Sequence, residues 1–289
     1  MRNMSEITVR LFGGLGNQLF QYFAGLDLSL KSGLPLSIDS RWIEASYSQD
    51  GSDIRDFKFT DDAQDRNILN SGKLNYGLER VKTKIAMKSK IAEKFFAISS
   101  PSSTGFVELN GFETGVELRG YYQSHKYFEN VFRNFGVNNW SLRNESNSFL
   151  KIKSLLSNTP FIALHVRGGD YLAKAHSYHT LESSYYLDSL KEIKYWLNHA
   201  AVYVFSDDAE HAQKVLKNIP GLNFIDQTGL RASEVILLMS VADGIIIANS
   251  TFSYWAAMIN ASNHIIAPKL WYANKLVDVD LYPSGWTIV

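Results

Sequence analysis

Ile7-Thr8-Val9-Arg10-Leu11-Phe12-Gly13-Gly14-Leu15-Gly16-Asn17-Gln18 decides the fold class: a β-branched, apolar run breaks at a glycine turn, and an amphipathic stretch follows at once. That stretch continues to Lys31, Gly33 ends it, and Leu34-Pro35-Leu36-Ser37-Ile38-Asp39 resumes the extended pattern. Strand, turn, helix and strand in this order open an α/β sheet. The N–H groups of the glycine turn stand at the positive end of a helix dipole and could cradle an anion. A dinucleotide fingerprint would carry a third glycine where Leu19 stands, yet Asp39 resembles the ribose-binding acid of that fold. The turn is therefore either a tight βα connection or a cofactor loop. Its members Gly14, Gly16, Asn17 and Gln18 are expected to face a cleft, the two amides serving as hydrogen-bond donors and acceptors.

Outward from this unit, residues 61–96 are charged and helical in pattern, with Lys and Arg frequent from Lys73 to Lys94, as in a solvated helical face. Ser99-Ser100-Pro101-Ser102-Ser103 is a loop by composition, and Gly120-Tyr121-Tyr122-Gln123-Ser124-His125-Lys126-Tyr127-Phe128 opens a helical stretch reaching about Phe135. After Thr159-Pro160 the rhythm changes. Strand patterns at 161–166, 201–205, 222–225, 244–248 and 264–267 alternate with helical patterns at 181–198, 208–218, 232–241 and 252–260. Such alternation predicts a parallel, doubly wound sheet with its ligand crevice at the carboxyl ends of the strands. Two such sheets imply two Rossmann-like domains, expected over residues 1–155 and 156–289.

Three constellations fall at predicted strand ends in the C-terminal half. In His165-Val166-Arg167-Gly168-Gly169-Asp170, a planar guanidinium precedes two glycines that let a ligand approach the backbone, which suits a diphosphate. An Arg167–Asp170 ion pair holding the loop is the structural alternative. In Phe205-Ser206-Asp207-Asp208, the paired carboxylates suit a metal, a ribose diol or a purine edge, or else cap the next helix. In Asn249-Ser250-Thr251-Phe252-Ser253, hydroxyls and helix N-terminal amides could hold phosphate oxygens, with capping again the alternative. His176 and His179 have the H-x-x-H spacing but no third ligand nearby, and Asp278-Val279-Asp280 stands too late in the chain for a metal-binding D-x-D.

Composition narrows the classes further. With 289 residues, 45% of them apolar, the chain can bury a substantial core. Zero cysteine excludes disulfides, thiolate metal sites and a cysteine nucleophile. Twenty-nine basic against 29 acidic side chains give no field for nucleic acid or an anionic membrane. Charges at Arg2, Glu6 and Arg10 interrupt any signal peptide, and Val235–Ala248, broken by Asp243, is too short to cross a bilayer. The expectation is a soluble, cytoplasmic protein without a transmembrane segment.

Taken in order, the motifs resemble those of the glycosyltransferase family 11 fucosyltransferases. The family's G-G-L-G-N-Q-[LM]-F-Q-Y matches Gly13 to Tyr22 without a gap, G-Y-[WY]-Q-S-x-x-Y-F matches Gly120 to Phe128, and H-x-R-R-x-D matches His165 to Asp170 in part. F-S-D-D matches Phe205 to Asp208, and N-S-[ST]-F-S-x-W matches Asn249 to Trp255.

The resemblance implies a GT-B architecture of two facing Rossmann-like domains, the N-terminal one binding a galactose-containing glycan acceptor and the C-terminal one GDP-fucose. It implies transfer of L-fucose to the acceptor 2-hydroxyl with inversion and without a metal or other cofactor, in a pathway such as bacterial surface-polysaccharide synthesis. Carried over by motif position, Arg167 would hold the diphosphate and neutralise departing GDP. Asp207, with Asp208 beside it, would contact the nucleoside, and Ser250, Thr251, Phe252 and Ser253 the phosphates. His165 and Asp170 would shape the loop, and Asn17 would orient donor or acceptor near the reacting centre. His179, Asp170 or a residue of the N-terminal half could serve as base. Gly168 replaces the family's second arginine, which leaves room for another GDP-sugar, acceptor or linkage. A dinucleotide oxidoreductase and a non-catalytic GDP- or glycan-binding protein are the rival classes.

Overall fold

A computed structural model describes residues 6–45, 53–60, 64–65, 76–89, 91, 98–99, 105–109, 114–135, 140–169, 179–273, 275–276 and 280–289. The chain divides into two compact units, Met1–Asn139 with Asp278–Tyr282, and Trp140–Val277 with Pro283–Val289. The division precedes the expected 155/156 boundary, and hydrogen bonds explain why. The N–H and Oγ of Ser146 donate to the Glu234 carboxylate at 2.7 and 3.1 Å, fastening the segment after residue 140 to the C-terminal unit. Conversely, Ser124 Oγ and the His125 N–H donate to the Asp280 carbonyl at 2.8 and 3.0 Å, holding that late segment in the N-terminal unit.

The N-terminal unit contains a parallel sheet of β1 (Ile7–Arg10), β2 (Leu36–Asp39), β3 (Gln64–Asp65), β4 (Ile98–Ser99) and β5 (Val116–Leu118), in the order β3-β2-β1-β5-β4. Helix α1 (Leu15–Ser32) follows β1 and ends at Gly33 in the left-handed conformation, as its sequence predicts. Phe20 and Phe23 of α1 meet Phe128 at ring separations of 5.7 and 6.3 Å in a buried aromatic cluster. Helices α2 (Arg41–Ala45), α3 (Tyr76–Ala86) and α4 (Glu129–Phe135) complete the set described in this unit. A buried charge network ties α3 to the sheet: Arg10 and Arg119 each contact both Glu79 of α3 and Glu117 of β5, at 2.5 to 3.1 Å.

In the C-terminal unit, β6 (Phe161–Val166), β7 (Ala201–Ser206), β8 (Leu222–Phe224), β9 (Gly244–Ile246), β10 (Ile265–Ala267) and a final strand Thr287–Ile288 run parallel. Their order is β8-β7-β6-β9-β10 and then the final strand, the doubly wound order of a dinucleotide-type sheet. Every residue of β6 is buried, which is why this central strand reads as a continuous apolar run. Helices α5 (Asn147–Leu156), α6 (Ser183–Trp196), α7 (Ala209–Leu216), α8 (Ala232–Ser240) and α9 (Thr251–Met258) connect or flank the strands. Ile162, Leu164, Val202, Val204 and Ile246 form the core with Tyr186, Leu190 and Ile193 of α6.

The α/β class with parallel sheets is thus the predicted one. The strands and helices expected after Thr159 all occur, with no end shifted by more than two residues. In the N-terminal unit, the helical pattern expected over 61–96 also covers β3, and β4 follows directly behind it. The stretch from Gly120 becomes irregular backbone, then a 3-10 turn at His125–Tyr127, before α4 begins.

Candidate active site

The order of the C-terminal sheet reverses between β6 and β9, so a crevice is expected where those strands end. Three predicted segments arrive there: the Arg167 loop after β6, Asp207-Asp208 after β7, and the Asn249–Ser253 segment leading from β9 into α9. Parallel pairing places His165 opposite Phe205 and Val166 opposite Ser206. Arg167 and Asp207 therefore leave adjacent strands side by side.

They form an ion pair, Arg167 Nη1 to Asp207 Oδ2 at 2.8 Å, with both side chains a quarter to a third exposed. Asp207 Oδ1 also accepts the Gly168 N–H at 2.9 Å. The carboxylate expected to contact a nucleoside is thus an anchor that fixes the guanidinium and the loop behind it. Asp170, the alternative partner for Arg167, lies outside the described residues. Gly169 has φ +45°, and a Cβ there would stand 2.6 Å from Asp207 Oδ2, so glycine is required for this approach. A Cβ on Gly168 would meet the Asp208 Cβ at 2.6 Å, so the place of the family's second arginine is closed. Asp208 itself caps α7, accepting from the His211 N–H at 2.9 Å.

Below the loop, His165 is buried, and its ring lies 5.5 Å from that of Phe252. Its Nδ1 has no hydrogen-bond partner among the described residues. Burial, helped by the Arg167 charge, pushes the imidazole down to about 3, so it is neutral at physiological pH and a poor base.

At the start of α9, Ser250 is the N-cap, its Oγ accepting from the Phe252 N–H at 3.4 Å. Ser253 is fully buried and donates to the carbonyls of Ala248 and Ser250 at 3.4 and 3.3 Å, so its hydroxyl serves the turn. Thr251 and Phe252 are half-buried, and no acid stands in the first turn to offset the positive end of the helix. Asn249 donates through Nδ2 to the carbonyls of His179 and Trp271 at 2.7 and 2.9 Å, which brings the His179 backbone to the same sheet edge.

The glycine turn of the N-terminal unit stands at the corresponding reversal, between β1 and β5. Gly14 is exposed and Asn17 half-buried, but Gly16 and Gln18 are buried. Gln18 donates to the Gly13 carbonyl and accepts from the Ile54 N–H, both at 2.9 Å. That corrects its expected place facing a cleft: its polar atoms are consumed inside the fold. Asp39 is also committed, its two oxygens accepting from Arg41 at 2.7 and 2.8 Å, which removes the acid that a ribose would need. A contact that the sequence does not assign joins Asn17 to Gln123, whose Nε2 donates to Asn17 Oδ1 at 2.9 Å. Its signal was the G-Y-Y-Q segment following β5, a three-residue strand too short to read by alternation.

Among the described residues no three His, Asp or Glu side chains gather as metal ligands would, and no helix is long and apolar enough to cross a membrane. His176 and Asp278 lie outside the described residues, and Asp280 pairs with Lys126 at 2.5 Å.

The model of Glycosyl transferase family 11 matches residues 80–289. An Escherichia coli α-1,2-colitosyltransferase is 30% identical, with 98% of each chain covered. The O-antigen biosynthesis glycosyltransferase WbnK of the same organism is 25% identical, covering 92% of this chain and 94% of its own. Among solved structures, the fucosyltransferase NodZ from Bradyrhizobium superposes with a TM-score of 0.56 at 14% identity, over 89% of this chain and 93% of that one.

Proposed function

The chain belongs to glycosyltransferase family 11, and on that premise we propose that it transfers L-fucose from GDP-fucose to the 2-hydroxyl of a galactoside, with inversion and without a metal. The observation that carries the reading is Arg167, held by Asp207 at the carboxyl end of β6 beside the start of α9. The acceptor oxygen attacks the sugar's anomeric carbon, the bond from that carbon to the diphosphate oxygen breaks, and negative charge develops on departing GDP. A guanidinium and helix N-terminal N–H groups preorganised at that charge stabilise the transition state more than the ground state. Asp207 contributes by fixing the guanidinium rather than by touching the nucleoside first. The acceptor proton needs a base other than His165, and His179, Asp170 and a residue of the N-terminal half are the proposed candidates.

The name of the second Escherichia coli relative, an O-antigen biosynthesis glycosyltransferase, supports a place in assembly of a bacterial surface polysaccharide. The colitosyltransferase also favours a second reading, in which the donor is the GDP derivative of colitose, a sugar lacking the 3-hydroxyl of fucose. Incubation with lactose and either GDP-sugar in the presence of EDTA, followed by NMR assignment of the linkage, separates the two. The expected result is an α-1,2-linked fucosyl product, with Arg167→Ala slower by about a hundredfold or more. Activity of that variant within a few-fold of wild type contradicts the assignment.

A further inference from the structure

We propose that Asn17, Gln123 and Tyr121 form the subsite for one pyranose ring of the acceptor, an inference that rests on the glycosyltransferase reading above. These residues come from the segments that follow β1 and β5, the pair between which the order of the N-terminal sheet reverses.

The hydrogen bond from Gln123 Nε2 to Asn17 Oδ1, at 2.9 Å, locks two half-buried amides against each other. It leaves the Asn17 Nδ2 as a donor and the Gln123 Oε1 as an acceptor with no other partner among the described residues. A sugar hydroxyl both donates and accepts, so a fixed donor and acceptor on neighbouring amides match one hydroxyl or a vicinal pair. The Asn17 amide is close-packed over Gly13, which has φ +77° and would bring a Cβ to 2.9 Å from Nδ2.

Backbone strain adds an independent observation. Tyr122 has φ +52°, the single positive value recorded for a non-glycine residue among those described. Its side chain is buried, with the hydroxyl donating to the Ser99 carbonyl at 2.8 Å and the ring edge-on to Tyr127 at 5.1 Å. That inward turn leaves Tyr121 52% exposed, its ring 5.0 Å from Phe12 beside the glycine turn, and directs Gln123 to Asn17. Ser124 and His125 then anchor the segment through the Asp280 carbonyl. Strain of this kind persists where the surroundings over-determine it, and here it presents one exposed aromatic face and one amide edge. An aromatic ring packs against the C–H face of a pyranose while amides take its hydroxyls, and the three groups are uncharged, which suits a neutral sugar rather than a phosphate.

The test uses the full chain, GDP-fucose and lactose. In Tyr121→Ala and Gln123→Ala the KM for lactose should rise by about tenfold, a factor that corresponds to one lost contact, while the KM for GDP-fucose stays within about twofold. Tyr121→Phe should recover most of the affinity that Tyr121→Ala loses, since the ring and not the hydroxyl is invoked. Saturation-transfer NMR with methyl β-D-galactoside, read in the same variants, reports binding without turnover. Loss of the sugar signal in both alanine variants supports the subsite even if wild type transfers no fucose, an outcome that would overturn the donor reading alone. Turnover with an unchanged lactose KM in both variants, a rise confined to the donor KM, or no sugar signal in wild type overturns the subsite.

Discussion

Gly168 stands where the family's motif carries a second arginine, and the obstacle to restoring it is the Asp208 Cβ, which a side chain at 168 would meet at 2.6 Å. Displacing Asp208 also disturbs the cap on α7, so Gly168→Arg should lower stability by about 2 kcal/mol, the sum of an overpacked contact and a weakened cap. Gly168→Ala should lose nearly as much, because the clash begins at Cβ. Thermal unfolding of both variants checks this, and a stable, more active Gly168→Arg would contradict it. His165 gives a pH prediction at the same scale. Its imidazole titrates near 3 when folded and near 6.5 when unfolded, so between those values the unfolded chain binds a proton that the folded chain does not. Stability is then fully present above pH 6.5 and falls by about 1.4 kcal/mol per unit as the pH drops below it. Denaturant titrations from pH 7 to 5 should show this slope in wild type and a flatter one in His165→Gln. Equal slopes would show that His165 is not held neutral. Sequence placed Arg167 at a strand end but left open whether a diphosphate or a loop carboxylate meets it, and the carboxylate that does so is Asp207. Gln18 and Ser253 could not be told from ligand-binding groups, because sequence shows a polar atom but not the carbonyl it meets.

Among the elements, the junction of α5 and α8 depends on one buried carboxylate. Burial raises the Glu234 pKa, but hydrogen bonds from Arg231 and Ser146 outweigh it and hold the group below its ordinary range. Its share of stability is therefore present above the unfolded carboxyl pKa and lost as pH falls through the lowered value. Glu234→Ala leaves the Ser146 and Arg231 N–H groups without this acceptor and should cost about 2 to 4 kcal/mol in urea denaturation, against under about 0.5 for an exposed control such as Glu210→Ala. A loss below about 1 kcal/mol would show that water replaces the carboxylate. Strands of six residues such as β6 and β7 were legible because their apolar runs are rich in β-branched and aromatic residues and stop short of helix length. The two-residue β3 and β4 were not, since so short a run has no period and exists through its neighbours' hydrogen bonds. The same brevity concealed the end of β5, so Gln123 was visible as a motif residue but not as the neighbour of Asn17.

For the whole molecule, both sheets place motif residues where strand order reverses: Arg167 and the start of α9 in one unit, Asn17 and Gln123 in the other. The motif order was visible in the chain, but a topological reversal is a property of strand order in space, which no single segment encodes. The proposed function requires that the C-terminal unit hold a GDP-sugar through Arg167. Thermal unfolding with GDP, GDP-fucose, UDP or NAD, each with EDTA, tests this most directly because it requires no acceptor. At a hundred times its Kd a ligand adds about 2.7 kcal/mol of stability, a resolvable shift. GDP and GDP-fucose should raise the Tm, UDP and NAD should not, and Arg167→Ala should abolish the effect; a response to NAD alone, or a GDP response that survives Arg167→Ala, would overturn the proposed donor site.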